Sequence, residues 1–162
     1  MSATHTIRVE NAGDRELLIS RAFDAPRASV FRALTTPALV KRWLLGPGGW
    51  TMPVCEIDLK PGGTFRYLWR RDREEMGVSG TFREIVPPER IVHTEVFNDD
   101  WTGGGSLVTT MLDEMDGRTT MSMTIHYASP ESRAIALASG MLEGMAATYD
   151  RLDTMLAEPG QI

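Results

Sequence analysis

The sequence predicts an α+β fold in which one antiparallel sheet has a single face covered by a long C-terminal helix. Two observations carry this. Between Met52 and Tyr127, short segments alternate apolar and polar residues and are separated by Pro61-Gly62-Gly63, Pro87-Pro88, Gly103-Gly104-Gly105 and Asp116-Gly117, the punctuation of strands joined by hairpins. After Ser129-Pro130 the apolar residues recur at steps of three and four, the period of a helix with one buried stripe.

The elements follow in chain order. Asn11-Ala12-Gly13-Asp14 is a turn cluster, and Leu17 to Phe23 after it is short, rich in strand formers and bounded by Asp24-Ala25-Pro26, so it reads as the first strand. Pro26 suits a first helical position, and Val30, Phe31 and Leu34 recur at helical spacing until Thr36-Pro37 resets the chain. A second short helix begins there, with Leu39, Val40, Trp43 and Leu44 on one side. Phe65, Tyr67 and Trp69 alternate with Arg66, Leu68 and Arg70, as Met121, Met123, Ile125 and Tyr127 do with Ser122, Thr124 and His126, the signature of a half-buried sheet. The cover is a helix expected from Pro130 to about Leu156, with Ala134, Ala138, Met141, Met145, Tyr149, Leu152 and Leu156 as its stripe and Ile135, Leu142 and Ala146 widening it. Gly140 and Gly144 fall inside it, each at about 1 kcal/mol of helix propensity relative to alanine. They point to close packing of backbone on the sheet or to room for a ligand.

Composition narrows the function. The chain has 162 residues, 42% hydrophobic and 24% charged, ordinary for one globular domain. No apolar run approaches the ~20 residues needed to span a bilayer. The segment Met1-Ser2-Ala3-Thr4-His5 lacks the basic and apolar regions of a secretory signal, so a cytoplasmic location is expected. Seventeen basic residues stand against 22 acidic, a net charge of -5, which makes nucleic acid a poor partner. Cys55 is the sole cysteine and reads as a small apolar residue without disulfide or metal role.

Neither Gly46-Pro47-Gly48-Gly49 nor Gly103-Gly104-Gly105 leads into Lys-Ser/Thr or a helix start, so a phosphate cradle is missing. Ser139-Gly140 lies within the predicted helix and not on a nucleophile elbow. Asn98-Asp99-Asp100 reads as a solvated hairpin loop, since the alternating ligands of a calcium loop are lacking. One polar pair stands out: His93 and Glu95, two apart on one strand, share a face with Ile91 and Phe97, opposite Val92, Thr94 and Val96. Inside, the pair orients a ligand or acts as acid and base; outside, it is a solvated surface pair. The sequence leaves the face open. The other signal is apolar: ten methionines, among which Met121, Met123, Met141 and Met145 fall on the facing surfaces of sheet and helix, either as core filler or as the lining of an adaptable pocket.

Several separated motifs, in this order, resemble a known family. Phe23-Asp24-Ala25-Pro26 is followed by Val30-Phe31-Arg32-Ala33-Leu34-Thr35-Thr36-Pro37, Arg42-Trp43 leads to Gly46-Pro47, and Asp58-Leu59-Lys60-Pro61-Gly62-Gly63 comes next. Gly80-Thr81-Phe82-Arg83-Glu84-Ile85-Val86-Pro87-Pro88-Glu89-Arg90-Ile91 continues the pattern, and Ser139-Gly140-Met141 through Tyr149-Asp150-Arg151-Leu152 closes it. The match is to the AHSA-type domain, named after the activator of the heat-shock protein ATPase, in the START-like (SRPBCC) superfamily, over residues 16–157. It departs at Leu44, where many relatives carry a second tryptophan after Trp43. The resemblance implies a helix-grip fold: a curved antiparallel sheet wrapped around a long C-terminal helix, two short helices after the first strand, and a cavity that in related folds holds lipids, sterols, polyketides or plant hormones. It implies no shared catalytic residue.

The expected division is an N-terminal extension over residues 1–15, open to joining the first strand, the START-like domain over 16–157, and a tail over 158–162. The expected function is binding of a small hydrophobic ligand between sheet and helix, as a carrier or sensor. Trp43, Trp50, Tyr67, Trp69, His93, Glu95, Met123, Met141, Met145 and Tyr149 are its candidate lining. Alternatives are a co-chaperone acting on a heat-shock ATPase, and a cyclase or dehydratase with His93, Glu95 or Tyr149 as acid or base. No catalytic residue, metal ligand or cofactor is assigned. The expected partners are a small apolar molecule and, for the co-chaperone reading, a protein, with the chain a monomer or homodimer.

Overall fold

A computed structural model describes residues 6–46 and 48–158. Residues 1–5, read above for a secretory signal, Pro47 of the Gly46-Pro47 motif and residues 159–162 of the tail lie outside the described residues. The strands are β1 (Arg8–Asn11), β2 (Glu16–Phe23), β3 (Thr51–Ile57), β4 (Thr64–Arg71), β5 (Glu74–Val86), β6 (Arg90–Phe97), β7 (Ser106–Met115) and β8 (Arg118–His126). The helices are α1 (Arg27–Thr35), α2 (Pro37–Trp43), α3 (Pro130–Ala138) and α4 (Met141–Ala157). The strands form one sheet in the order β1-β2-β8-β7-β6-β5-β4-β3, antiparallel throughout.

Strand alternation sets an inner and an outer face. On β2, Leu17, Ile19, Arg21 and Phe23 are buried while their neighbours are not. They pair across with Ile125, Met123, Met121 and Thr119 of β8, so the inner face runs continuously from strand to strand. Asp116 and Gly117 both adopt positive φ, 55° and 76°, the hairpin geometry that joins β7 to β8 with matching twist. Gly80 marks the sharpest packing in the sheet. A β-carbon there would collide with the Thr94 carbonyl and sit 2.6 Å from Phe65 Cε1, because the Phe65 ring on the paired strand covers the bare backbone. At one edge β3 carries Pro53 and a register shift between Thr51 and Val54. At the other, β1 has four residues, all exposed.

The helices close the inner face from one end. Pro26 stands one position before α1, where its carbonyl accepts from the amides of Ser29 (3.0 Å) and Val30 (3.2 Å), and Val30, Phe31 and Ala33 are buried. Trp43 of α2 is 3% exposed and its indole donates to the Ala33 carbonyl at 2.9 Å.

The predicted continuous helix from Pro130 to Leu156 is broken. Ser129 caps α3 as expected, accepting from the Ser132 amide at 3.0 Å. The chain then takes a left-handed step at Gly140, φ 82°, a conformation glycine adopts without a side-chain clash. The break resets the helical phase. Ser132 and Ala136 are therefore the buried side of α3, while Ala134, Ile135 and Ala138, expected in the stripe, are exposed. In α4 the stripe holds, with Thr148, Tyr149, Leu152 and Met155 buried. Among the described residues no helix is long and apolar enough to cross a membrane.

Candidate functional site

Burial along α4 is graded. Its second half is sealed against the sheet through Tyr149, Leu152 and Met155, at 5%, 0% and 3% exposure. In its first half Met141, Leu142 and Met145 are only half-buried. The sheet repeats the gradient. Phe23, Leu112, Met121 and Ile91 are buried beneath α1 and the end of α4, whereas Tyr67, Trp69, His93, Glu95, Phe97 and Met123 remain half-buried. Tyr67, Trp69 and Phe97 pack on the cluster that holds Tyr149, Leu152 and Met155, while Met141 and Leu142 at the start of α4 pack on the buried Leu17, Ile19, Val108 and Ile125. Met123 and Met145 pack against both apolar clusters of the core and mark the seam between them.

The structure resolves the face of His93 and Glu95: they point inward. The His93 ring meets Phe65 edge to face at 5.0 Å and Phe82 at 6.2 Å, and both phenylalanines are core residues. Its Nε2 lies 3.9 Å from Glu95 Oε1, beyond hydrogen-bond length, and its buried Nδ1 has no partner. Among the described residues no group of three His, Cys, Asp or Glu side chains is placed to hold a metal.

Two phenols span from sheet to helix. Tyr149 donates to Met123 Sδ at 3.0 Å and Tyr127 to Met141 Sδ at 3.3 Å, and a thioether is a weak acceptor. Burial is the first reason that Tyr127 is pushed up to about 12, with the Glu95 carboxylate adding to it and Arg133 opposing it. Burial also holds Tyr67 and Tyr149 well above the usual tyrosine range; Glu95 adds in each case, after Cys55 for Tyr67. The field of one carboxylate thus reaches three rings.

The remaining candidates fall around this centre. Trp69 is half-buried and donates from its indole to the Leu44 carbonyl at 2.7 Å, which ties β4 to the end of α2. Trp43 sits behind Tyr149, ring centres 6.2 Å apart, as part of the closed core. Trp50 is brought to neither apolar cluster; the Arg71 guanidinium lies over its ring at 4.6 Å. Met121, at 1% exposure, is core. Tyr127 and Phe97 belong with the site and were not among its candidates, although the alternation already placed Tyr127 on the face of Met123 and Phe97 on that of His93 and Glu95.

Two surface depressions lie elsewhere. One of about 620 Å3 is on the outer face, lined by Glu56, Asp58, Arg66, Ser79 and Thr94 among others, and one of about 530 Å3 is at the β7–β8 hairpin. Both collect solvated polar groups. Neither holds the convergent rings and polar pair of the inner face, which is the arrangement that binding sites for small molecules share.

A curved antiparallel sheet closed over a C-terminal helix, two short helices after the strand that enters the core, and a half-open inner face define a START-like helix-grip protein. The chain belongs to the family described as Activator of Hsp90 ATPase homolog 1-like protein, whose model matches residues 24–157. A crystal structure of a protein from Rhodobacter sphaeroides is similar over 93% of this chain and 98% of its own, at 35% identity and TM-score 0.88. One from Mycobacterium smegmatis aligns over 95% and 98%, at 23% identity and TM-score 0.83. One from Nitrosomonas europaea aligns over 91% and 97%, at 22% and 0.78. The last two share the fold alone. No curated protein matches the chain.

Proposed function

We propose that this chain takes up a small apolar molecule between the inner face of the sheet and the first half of α4, as a carrier or sensor module of the cytoplasm. One observation carries the reading: the half-buried side chains gathered around Glu95 on the inner face are rings, thioethers and one polar pair, whereas aliphatic ones such as Ile57 and Ile85 are half-buried elsewhere. Tyr67, Trp69, Met123, Met141 and Met145 supply apolar area, His93 and Glu95 supply orientation, and Tyr149, buried in the empty protein, is reached once Met123 moves aside. Trp43 backs Tyr149, and Trp50 is left out of the lining. The methionines now touching Tyr127 and Tyr149 sit on flexible stems, so an incoming ligand displaces them and takes their place at the phenols. A nucleic-acid partner is disfavoured by the net charge of -5.

The test combines native mass spectrometry of protein purified from its own host with titration of hydrophobic probes, followed by tryptophan fluorescence. The expected result is a saturable response at one site, weakened by Met141→Trp without loss of melting temperature. Absence of any bound probe overturns the reading. The family description favours a second one, a co-chaperone-like protein acting on a heat-shock ATPase, alone or as a homodimer. Stimulation of the purified chaperone's ATPase by this chain would support it. A cyclase or dehydratase using the His93–Glu95 pair is the third reading, tested by turnover of the molecule that mass spectrometry identifies.

A further inference from the structure

The inner face has a sign. The Glu95 side chain is 28% exposed, and among the described residues it accepts no hydrogen bond, its nearest basic group being His93 at 3.9 Å. A carboxylate offers about four acceptor positions, so its capacity is unspent. A second basic group of the inner face, Arg21, lies under the second half of α4, where its Nη2 is 3.3 Å from Asp153 and 3.4 Å from Asp150; its Nε and Nη1 are buried without a partner, and its charge is offset there by those two carboxylates. Around Glu95 stand electron-rich rings, and its field adds to the burial that holds the protons on three phenols. A bound anion meets that field as repulsion. A cation meets both a carboxylate and ring faces, which attract positive charge most strongly where water is scarce.

We propose that the ligand of this site is an amine: a ring-sized apolar body among Tyr67, Trp69 and Tyr149, with a protonated nitrogen on the Glu95 carboxylate. The proposal rests on the pocket reading above and adds the charge of the occupant. It also gives Glu95 a role: a half-buried carboxylate without a close partner is unfavourable in the empty protein, and an ammonium group relieves it.

The test is calorimetric titration at neutral pH with three probes of one shape: 2-naphthylmethylamine, 2-naphthylmethanol and 2-naphthoate. The amine should bind about tenfold or more tighter than the alcohol, as expected for an ion pair reinforced by ring faces, and the carboxylate should bind weakest. Glu95→Gln should bring the amine down to the level of the alcohol. Asp58→Asn, on the outer face, should leave the wild-type order unchanged. If the alcohol or the naphthoate binds wild-type protein as tightly as the amine, or if Glu95→Gln keeps the preference, the cation proposal is overturned while the pocket stands. If none of the three binds, the pocket reading fails and the proposal goes with it. The order of the three probes on wild-type protein decides the matter even where the variant does not fold.

Discussion

Tyr149 on α4 and Met123 on β8 meet hydroxyl to sulfur at 3.0 Å, a polar contact made across the interface of helix and sheet. Because sulfur accepts weakly, Tyr149→Phe should cost less than about 1 kcal/mol of stability. Tyr149→Ala removes a buried ring that also packs on Phe23 and Trp43 and should cost about 3–5 kcal/mol. Urea denaturation of the two variants measures both. Equal losses would show that the hydroxyl, and not the ring, holds α4 in place.

The chain has three tyrosines, and all three titrate high in the folded state. Folded protein therefore holds these protons more tightly than unfolded chain does. For Tyr127, stability should be level up to the ordinary value of 10.0 and fall as pH rises from there through about 12. Absorbance of tyrosinate should accordingly appear together with loss of tertiary structure. A tyrosinate signal with its midpoint near the ordinary value, in protein that is still folded, would contradict the burial described here.

Gly140 gives a prediction whose direction separates two structures. In a continuous helix, Gly140→Ala would stabilise by about 1 kcal/mol. At φ 82° the added side chain is strained, and the variant should instead lose about 1 kcal/mol or more. Thermal unfolding monitored by circular dichroism gives the sign directly.

The gradient along α4 can be read by truncation. Leu152, at 0% exposure, should cost about 2–5 kcal/mol on replacement by alanine. Met145, half-buried at the seam, should cost less than half as much, since part of its surface already faces the opening. Comparable losses at both positions would mean that the helix is sealed over its whole length, with no space opposite its start.

Much of the fold was legible because two periods dominate the chain. The alternation Phe65, Tyr67, Trp69 and Met121, Met123, Ile125 marks the inner face residue by residue, and Ser129-Pro130 marks the start of a helix. The break at Gly140 was not legible, because apolar residues on both sides of it keep helical spacing; a glycine within a stripe and a glycine at a left-handed step look alike in sequence. β1 escaped for a different reason. Its four exposed residues carry no alternation, and only pairing with β2 makes them a strand. The face of His93 and Glu95 stayed open because the opposite set, Val92, Thr94 and Val96, is as apolar as a core row. Contacts with Phe65 and Phe82, distant in sequence, decide it.

The two rims of the sheet bear on how this protein behaves when crowded. An unpaired strand edge is a template on which a second chain can add its own strand. On β3, Pro53 removes a backbone donor and the irregularity between Thr51 and Val54 breaks the ladder such an addition would extend. On β1 the exposed run is only four residues long and holds Arg8 and Glu10, too short and too charged for a lasting ladder. Aggregation by continuing the sheet is thereby discouraged at both rims.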